Sequence, residues 1–235
     1  MSTNNTCANC GKGEESSGGL KACTACKIVK YCNRECQIAH RPQHKKVCKK
    51  RAAELHDAEL FKQPLPAEDC PICFLRLPTL DSGSTYFSCC GKVVCTGCVH
   101  APVYDNQGNI VAEKKCPFCR IPYPTSIEEE VQRIKKRIEA GDAQAFFNMG
   151  CYYRDGVYGL PQDHTKALEL FHQAGELGYV KAYCKIGYAY SNGEGVEIDK
   201  KKARHYYELS AMGGNEVARF NLGNRELDAG NIGRA

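Results

Sequence analysis

Apolar and polar residues are arranged differently in the two halves of the chain. From residue 126 onward, apolar residues recur at three- and four-residue intervals over helix-length segments, the pattern of helices with one buried face. Between residues 7 and 48 there is little continuous apolar sequence. The pattern predicts a helical C-terminal half and an N-terminal half that needs another source of stability than a hydrophobic core.

The first helix is predicted over residues 126–140. Its apolar residues share one face: Ile127, Val131, Ile134 and Ile138. Ser126 and Glu129 match a capping box at its start, and Gly141 suits the position just after its end. We interpret the apolar stripe as a packing face and the segment as a capping helix for the region that follows.

Residues 142–235 contain an internal repeat of 36 or 37 residues. The equivalent positions include Gly150, Gly187 and Gly223, and likewise Ala145, Ala182 and Ala218. Residues 142–214 make two complete repeats, and residues 215–235 make the first helix of a truncated third. Two helix-length segments per repeat predict an α-solenoid, with Asp163 and Asp199 as N-caps of the second helices.

The repeat motif, A-x4-G-x2-Y followed by D-x2-K-A, an aromatic residue and a closing glycine, resembles the Sel-one-like repeats, which are related to tetratricopeptide repeats. This resemblance implies an all-α helical-repeat domain that recruits partner or substrate proteins.

Cysteine usage sets the other half apart. Of 17 cysteines, 15 lie in residues 1–119. The amino terminus lacks the apolar stretch of a secretory signal, and no run of about 18 apolar residues predicts a membrane span. We therefore expect a cytoplasmic or nuclear protein, in which clustered cysteines are metal ligands rather than disulfides.

The first cysteine-rich module spans residues 7–48. It offers eight ligands at metal-site spacing: Cys7, Cys10, Cys23, Cys26, Cys32, Cys36, His44 and Cys48. His44 and Cys48 lie four residues apart, on one face of a helix. Eight ligands suit two tetrahedral zinc ions. We interpret His40 as a hydrogen-bonded or surface histidine, because all eight ligand positions are filled.

This string, with Tyr31 before Cys32 and Gln37 after Cys36, resembles the MYND-type zinc finger. The resemblance implies binding of proline-containing peptides on partner proteins. It also implies interleaved metal sites, one formed by Cys7, Cys10, Cys32 and Cys36 and the other by Cys23, Cys26, His44 and Cys48. Residues 49–69, with a basic run, a short helical stretch and two prolines, are interpreted as a linker.

The second cysteine-rich module spans residues 70–120. Its eight candidate ligands are Cys70, Cys73, Cys89, Cys90, Cys95, Cys98, Cys116 and Cys119. The strings Cys70-Pro71-Ile72-Cys73 and Cys116-Pro117-Phe118-Cys119-Arg120 resemble the RING finger of ubiquitin ligases.

The middle of this module departs from the RING pattern. Lys92 stands where the family usually has a histidine ligand, and a protonated lysine has no lone pair to donate. Cys89 is the natural replacement, and His100 is the rival. With Cys89, the family's cross-brace implies one site from Cys70, Cys73, Cys95 and Cys98 and another from Cys89, Cys90, Cys116 and Cys119.

The RING resemblance also implies a function. RING ligases hold a ubiquitin-conjugating enzyme that carries ubiquitin, and they form no covalent intermediate. Ile72 and Pro117 would contact the conjugating enzyme, and Arg120 would bridge to ubiquitin with its guanidinium fork.

The sequence thus predicts a multidomain protein: two zinc-stabilised α+β cross-brace modules and an all-α solenoid. The leading functional hypothesis is a ubiquitin ligase whose first module and repeats recruit substrate. The alternative is a non-catalytic adaptor that assembles protein complexes. Nucleic-acid binding is disfavoured, since it rests on one basic run without interleaved aromatic residues: Lys45, Lys46, Lys49, Lys50 and Arg51.

Zinc binding would also change the net charge. The formal charge is +5 when every cysteine is a neutral thiol. Zinc ligands are thiolates, so each four-cysteine site carries about −2 and the site with His44 about −1. With all four predicted zinc ions bound, the net charge falls to about −2, which weakens the argument for nucleic acid further.

Overall fold

The computed structural model describes residues 5–13, 19–62, 68–78, 83–104, 106–111, 114–228 and 230. The chain divides into two compact units, residues 1–62 and residues 63–235. The truncated third repeat is predicted over residues 215–235, and residues 229 and 231–235 of it lie outside the described residues.

The first unit consists of a small hairpin and one long helix. Strand β1 (Lys21–Ala22) pairs antiparallel with β2 (Lys30–Tyr31), and α1 covers Arg34–Leu60. The Asn33 side chain caps α1 by accepting a hydrogen bond from the Cys36 N–H at 2.8 Å. Among the residues of this unit that the structure describes, the buried hydrophobic ones are three cysteines and one tyrosine: Cys7, Cys23, Cys26 and Tyr31.

Helix α1 extends into the segment that the sequence assigned to a linker. A short helical stretch is predicted within residues 49–69, and α1 continues from the first module through residue 60 without a break. The reason is local: residues 43–62 contain neither glycine nor proline and are rich in lysine, alanine, glutamate and leucine, which favour helix. Residues 63–67 lie outside the described residues.

The second unit begins with the other cysteine-rich module. Strands β3 (Ser84–Phe87) and β4 (Lys92–Cys95) form an antiparallel hairpin, followed by the short helix α2 (Thr96–Val99). A second small hairpin pairs β5 (Val103–Tyr104) with β6 (Ile110–Val111). The core of the module contains Leu77, Phe87 and Val94 beside its buried cysteines. Both modules therefore have the α+β character that the sequence predicted.

Six further helices complete the described residues of the second unit. They are α3 (Ile127–Glu139), α4 (Ala143–Asp155), α5 (His164–Glu176), α6 (Val180–Asn192), α7 (Lys200–Met212) and α8 (Glu216–Asp228). Ser126 caps α3 as predicted, accepting from the Glu129 N–H at 3.2 Å. The predicted N-caps Asp163 and Asp199 accept from backbone N–H groups at the starts of α5 and α7.

The periodic glycines allow close packing of the two helices within each repeat. A Cβ on Gly150 would lie 2.7 Å from the Phe171 ring of α5. A Cβ on Gly187 would lie 2.9 Å from the Tyr207 ring of α7. Glycine and the aromatic residue recur together because one accommodates the other, and the solenoid prediction is confirmed. None of the helices in the part of the chain that the structure describes combines the length and the hydropathy that a membrane span requires.

Candidate metal centres

Four Cys-x2-Cys turns have the same backbone conformation. In each, the N–H of the residue after the second cysteine donates to the carbonyl of the first cysteine, at 2.9 to 3.0 Å. That donor residue has a positive φ in every case: Gly11, Lys27, Phe74 and Arg120. Left-handed backbone is costly for lysine, phenylalanine and arginine. The sequence does not reveal this strain, which is tolerated where the turn must aim two thiols at one point.

The first unit brings its eight predicted ligands into two clusters. Within each, the ligand atoms all lie within 4.8 Å of one another: Cys7, Cys10, Cys32 and Cys36 in one, and Cys23, Cys26, His44 and Cys48 in the other. The Sγ atoms of Cys10 and Cys32 are 3.6 Å apart, and those of Cys23 and Cys48 are 3.7 Å apart. These are the interleaved groups that the family resemblance implied.

The spacing of these atoms fits zinc. A tetrahedral ion with Zn–S bonds of about 2.3 Å separates its sulfur ligands by about 3.8 Å. The Sγ–Sγ separations of 3.6 and 3.7 Å come close to that distance. The Cys26 Sγ lies 3.2 Å from Nε2 of His44, and this shorter edge agrees with the shorter Zn–N bond. All 17 cysteines are free thiols, so disulfides do not compete for them.

The thiols within a cluster ionise very differently. Burial raises the pKa of Cys7, but backbone N–H groups, first that of Cys10, outweigh it and lower the pKa to about 6. The hydrogen bond to Cys36, together with burial, raises the pKa of Cys32 to about 12. Four neighbouring thiols cannot all ionise unaided, because each thiolate repels the next. A divalent cation stabilises all four thiolates at once.

The second module forms two more clusters. Cys70, Cys73, Cys95 and Cys98 lie together, as do Cys89, Cys90, Cys116 and Cys119, with the ligand atoms of each again within 4.8 Å. The Sγ–Sγ distances are 3.7 Å between Cys73 and Cys95 and 3.8 Å between Cys90 and Cys116. The turn of the β3–β4 hairpin supplies Cys89 and Cys90, and the end of β4 supplies Cys95. This is the cross-braced grouping implied by the RING resemblance.

Cys89, and not His100, completes the fourth cluster. The Sγ atoms of Cys89 and Cys119 are 3.3 Å apart. Lys92 serves another purpose, because its ammonium group lies 5.9 Å from the centre of the Phe118 ring, within range of a cation–π interaction. The fourth cluster therefore has four ligands although Lys92 replaces the histidine that is usual in RING fingers.

Two residues beside the first unit's clusters support a ligand. His40 is hydrogen-bonded to the Tyr31 hydroxyl, with 3.0 Å between Oη and Nδ1. Its ring also stacks on His44, with 5.6 Å between centroids. Tyr31 and His40 thus fix the orientation of a candidate metal ligand, as outer-shell partners commonly do.

The three residues assigned to the conjugating enzyme lie on two of the four turns. Ile72 is 36% exposed, Pro117 is half-buried and Arg120 is exposed. Phe118, between them, is 44% exposed. The side chains of Ile72 and Phe118 are therefore accessible to a partner and are not buried in the core of the module.

Comparison with known families identifies two parts of the chain. The family model for the MYND finger matches residues 7–48, and the Sel1 repeat model matches residues 143–179 and 180–215. The chain therefore contains a MYND finger followed, further along, by Sel1 repeats. A MYND finger implies zinc, in agreement with the geometry of the first two clusters.

Related proteins match parts of the chain. It is 35% identical over 99 residues to the ERAD-associated E3 ubiquitin-protein ligase component HRD3B of Arabidopsis thaliana, covering 41% of this chain and 15% of that protein. It is 34% identical over 77 residues to the E3 ubiquitin-protein ligase DA2 of the same plant, covering 33% of this chain and 17% of that protein. The chain thus spans under a fifth of the length of these relatives.

Solved structures include a Sel1 repeat protein from Oxalobacter formigenes. It is 31% identical in sequence, with a TM-score of 0.43, and the match covers 46% of this chain and 43% of that one.

Proposed function

We propose that the chain is a protein-interaction adaptor whose second zinc module acts as a RING-type ubiquitin ligase. The MYND finger and the Sel1 repeats recruit substrate or partner proteins, and the second module recruits a conjugating enzyme. Four zinc ions hold the two modules. A reducing compartment, cytosol or nucleus, is part of the proposal because sixteen ligands, fifteen of them cysteines, must stay free to bind metal.

The observation that carries the proposal is the arrangement of the second module. Two four-cysteine clusters, built from alternating pairs along the chain, set the turns at Cys70 and Cys116. Those turns carry Ile72, Pro117 and Arg120, the residues to which the RING resemblance assigns the contacts with the conjugating enzyme and ubiquitin. The exposed guanidinium of Arg120 can donate to several carbonyl groups at once, which suits a bridge between two proteins.

In this mechanism the chain performs no covalent step. Zinc would supply a rigid frame, and the apolar tip at Ile72 and Pro117 would bind the conjugating enzyme. Arg120 would restrain the attached ubiquitin, so that the thioester is attacked from a narrower set of conformations. Two similar proteins whose names include E3 ubiquitin-protein ligase support this assignment.

The alternative is a non-catalytic adaptor with the same modules. Lys92 favours it, because the second module departs from the RING pattern at that position and uses the side chain for a cation–π contact. In this case the second module serves as a scaffold.

Reconstituted ubiquitin transfer with a panel of conjugating enzymes separates the two functions. We expect chain formation by the zinc-loaded protein and its loss in Ile72→Ala and in Arg120→Ala. Ile110→Ala and Arg76→Ala, which change exposed residues of the same module outside the turns at Cys70–Phe74 and Cys116–Arg120, serve as matched controls and should retain activity. A protein that holds its zinc but transfers no ubiquitin with any enzyme would be the adaptor.

Elemental analysis tests the metal assignment independently. We expect four zinc ions per chain, one for each cluster. A value of two would limit zinc to the MYND finger and would remove the basis of the ligase proposal.

A further inference from the structure

The β3–β4 hairpin of the second module has two packed faces. One faces the core of the module, and the other faces helices α3 and α4. Side chains alternate between the faces of a strand. Phe87 points into the module, where its ring lies 5.8 Å from that of Tyr123. Tyr86, the residue before it, packs against the cluster formed by α3 and α4, which includes Val131, Ile134 and Met149.

One carboxylate links three elements at this boundary. Oδ2 of Asp142 accepts a hydrogen bond from the Tyr86 hydroxyl at 2.8 Å and two from the Arg137 guanidinium at 2.9 and 3.0 Å. Oδ1 of the same residue accepts from the N–H groups of Gln144 and Ala145 at 3.1 and 3.3 Å. Asp142 is therefore the N-cap of α4, the first repeat helix, and also the attachment point of the hairpin.

Two more contacts fix the hairpin in place. The hydroxyl of Ser88, which is buried, donates to Oε2 of Glu130 on α3 at 2.7 Å. Gly91 lies so close to α3 that a Cβ there would collide with the Arg137 guanidinium and the Asp142 carboxylate. Its φ of +70° also belongs to the region that favours glycine.

The contact residues are interleaved with metal ligands. Within the six residues 86–91, the side chain of Tyr86 reaches Asp142, that of Ser88 reaches α3, and Gly91 lies against both, while Cys89 and Cys90 belong to the fourth cluster. Whatever holds Cys89 and Cys90 in place therefore also holds the groups that bind Glu130 and Asp142.

We propose that the second module is a zinc-dependent N-terminal cap of the repeat domain. The fourth metal centre fixes the hairpin turn, the turn presents Tyr86 to Asp142, and Asp142 caps α4. Solenoid ends need such covers, because a terminal repeat lacks a neighbour on one side. Loss of metal from this centre would loosen the first repeat and any partner surface on it. The inference does not depend on recruitment of a conjugating enzyme.

Hydrogen exchange of the full-length, zinc-loaded chain tests the coupling. Cys116→Ser/Cys119→Ser removes two ligands of the fourth cluster without changing the hairpin. We expect it to speed exchange of the α4 amides by about tenfold or more, as local opening becomes easier. Cys7→Ser/Cys10→Ser, which removes the corresponding pair from the other unit, is the matched control and should leave α4 exchange unchanged. Equal α4 exchange in the two variants would overturn the proposal.

Tyr86→Phe tests the link without removing a ligand. It should keep the full zinc content and still speed α4 exchange severalfold, since it removes one hydrogen bond to a carboxylate. The effect should disappear in the Cys116→Ser/Cys119→Ser background, where the hairpin is no longer held. Unchanged α4 exchange in Tyr86→Phe, or an equal effect in both backgrounds, would contradict the coupling. Ubiquitin transfer does not enter the readout, so failure here leaves the ligase proposal standing.

Discussion

In the described residues of the MYND finger the buried hydrophobic side chains are three cysteines and Tyr31, whereas those of the repeats include a cluster of phenylalanine, leucine, isoleucine and alanine packed between helices. A finger of about forty residues buries too little apolar surface to fold alone. Its stability must come from metal ligation, while that of the repeats comes from close packing. The second module combines the two, since it has four-cysteine clusters and also a docked hairpin.

Removal of zinc should therefore unfold the finger and leave the repeats folded, which is the largest effect that we predict. Structural zinc supplies on the order of 10–16 kcal/mol per site in small zinc peptides. We expect a strong chelator to unfold the MYND finger, including the part of α1 that carries His44 and Cys48, while helices α5, α6 and α7 stay folded. Hydrogen exchange resolved by peptide measures both regions in one sample.

Loss of protection in α6 and α7 as complete as that in the finger would contradict this comparison. It would mean that the repeats, too, depend on metal. Restored protection of the finger on adding zinc is the control for irreversible damage by the chelator.

Adding a methyl group to a glycine should destabilise the repeats and have little effect on the metal-bound part of the chain. In the repeats, Gly150→Ala would force a methyl group against the Phe171 ring, where a Cβ lies 2.7 Å from the nearest ring atom. Overpacking of this kind costs about 1–3 kcal/mol. Gly97→Ala, in α2 of the second module, is the matched control, because the nearest atom to its Cβ is 3.9 Å away. Thermal unfolding of the two variants should show a lower midpoint for Gly150→Ala alone.

The repeats and the metal ligands could be predicted from the sequence for different reasons. The solenoid could be predicted because its spacing records packing: glycine opposite an aromatic residue recurs with each repeat. The metal ligands could be proposed because cysteine pairs at fixed spacing have few other uses in a reducing compartment. The attachment of the β3–β4 hairpin to α3 and α4 could not be predicted, since Tyr86 and Asp142 are 56 residues apart and neither belongs to a motif. The full length of α1 could not be predicted either, because the ligand pattern ends the first module at its last ligand, Cys48, and the basic run after it is interpreted as part of a linker.

Support of His44 by Tyr31 is a smaller test of the finger. Tyr31→Phe removes the hydroxyl that is hydrogen-bonded to His40 but keeps the buried ring. We expect a loss of about 0.5–1.5 kcal/mol, the usual net value of one hydrogen bond, seen as weaker zinc binding in a competition titration with a chelator. Tyr104→Phe, which changes a tyrosine that is 59% exposed in the second module, should bind zinc like the unchanged protein. Equal affinities for all three would show that the Tyr31–His40 pair does not support the ligand.

The smallest effect concerns pH and the caps of the repeats. Backbone N–H groups, first that of Lys202, lower the pKa of Asp199 below its usual value. Because the folded pKa is the lower one, the cap's contribution is present above the unfolded pKa and is lost as the pH falls through the folded pKa. Asp199→Asn retains a side-chain acceptor for the cap but does not titrate, so the stability of α7 should depend less on pH below about 4. Asp199→Ala should lose stability at all pH values, and equal acid sensitivity of Asp199→Asn and the unchanged protein would rule out this cap as the source.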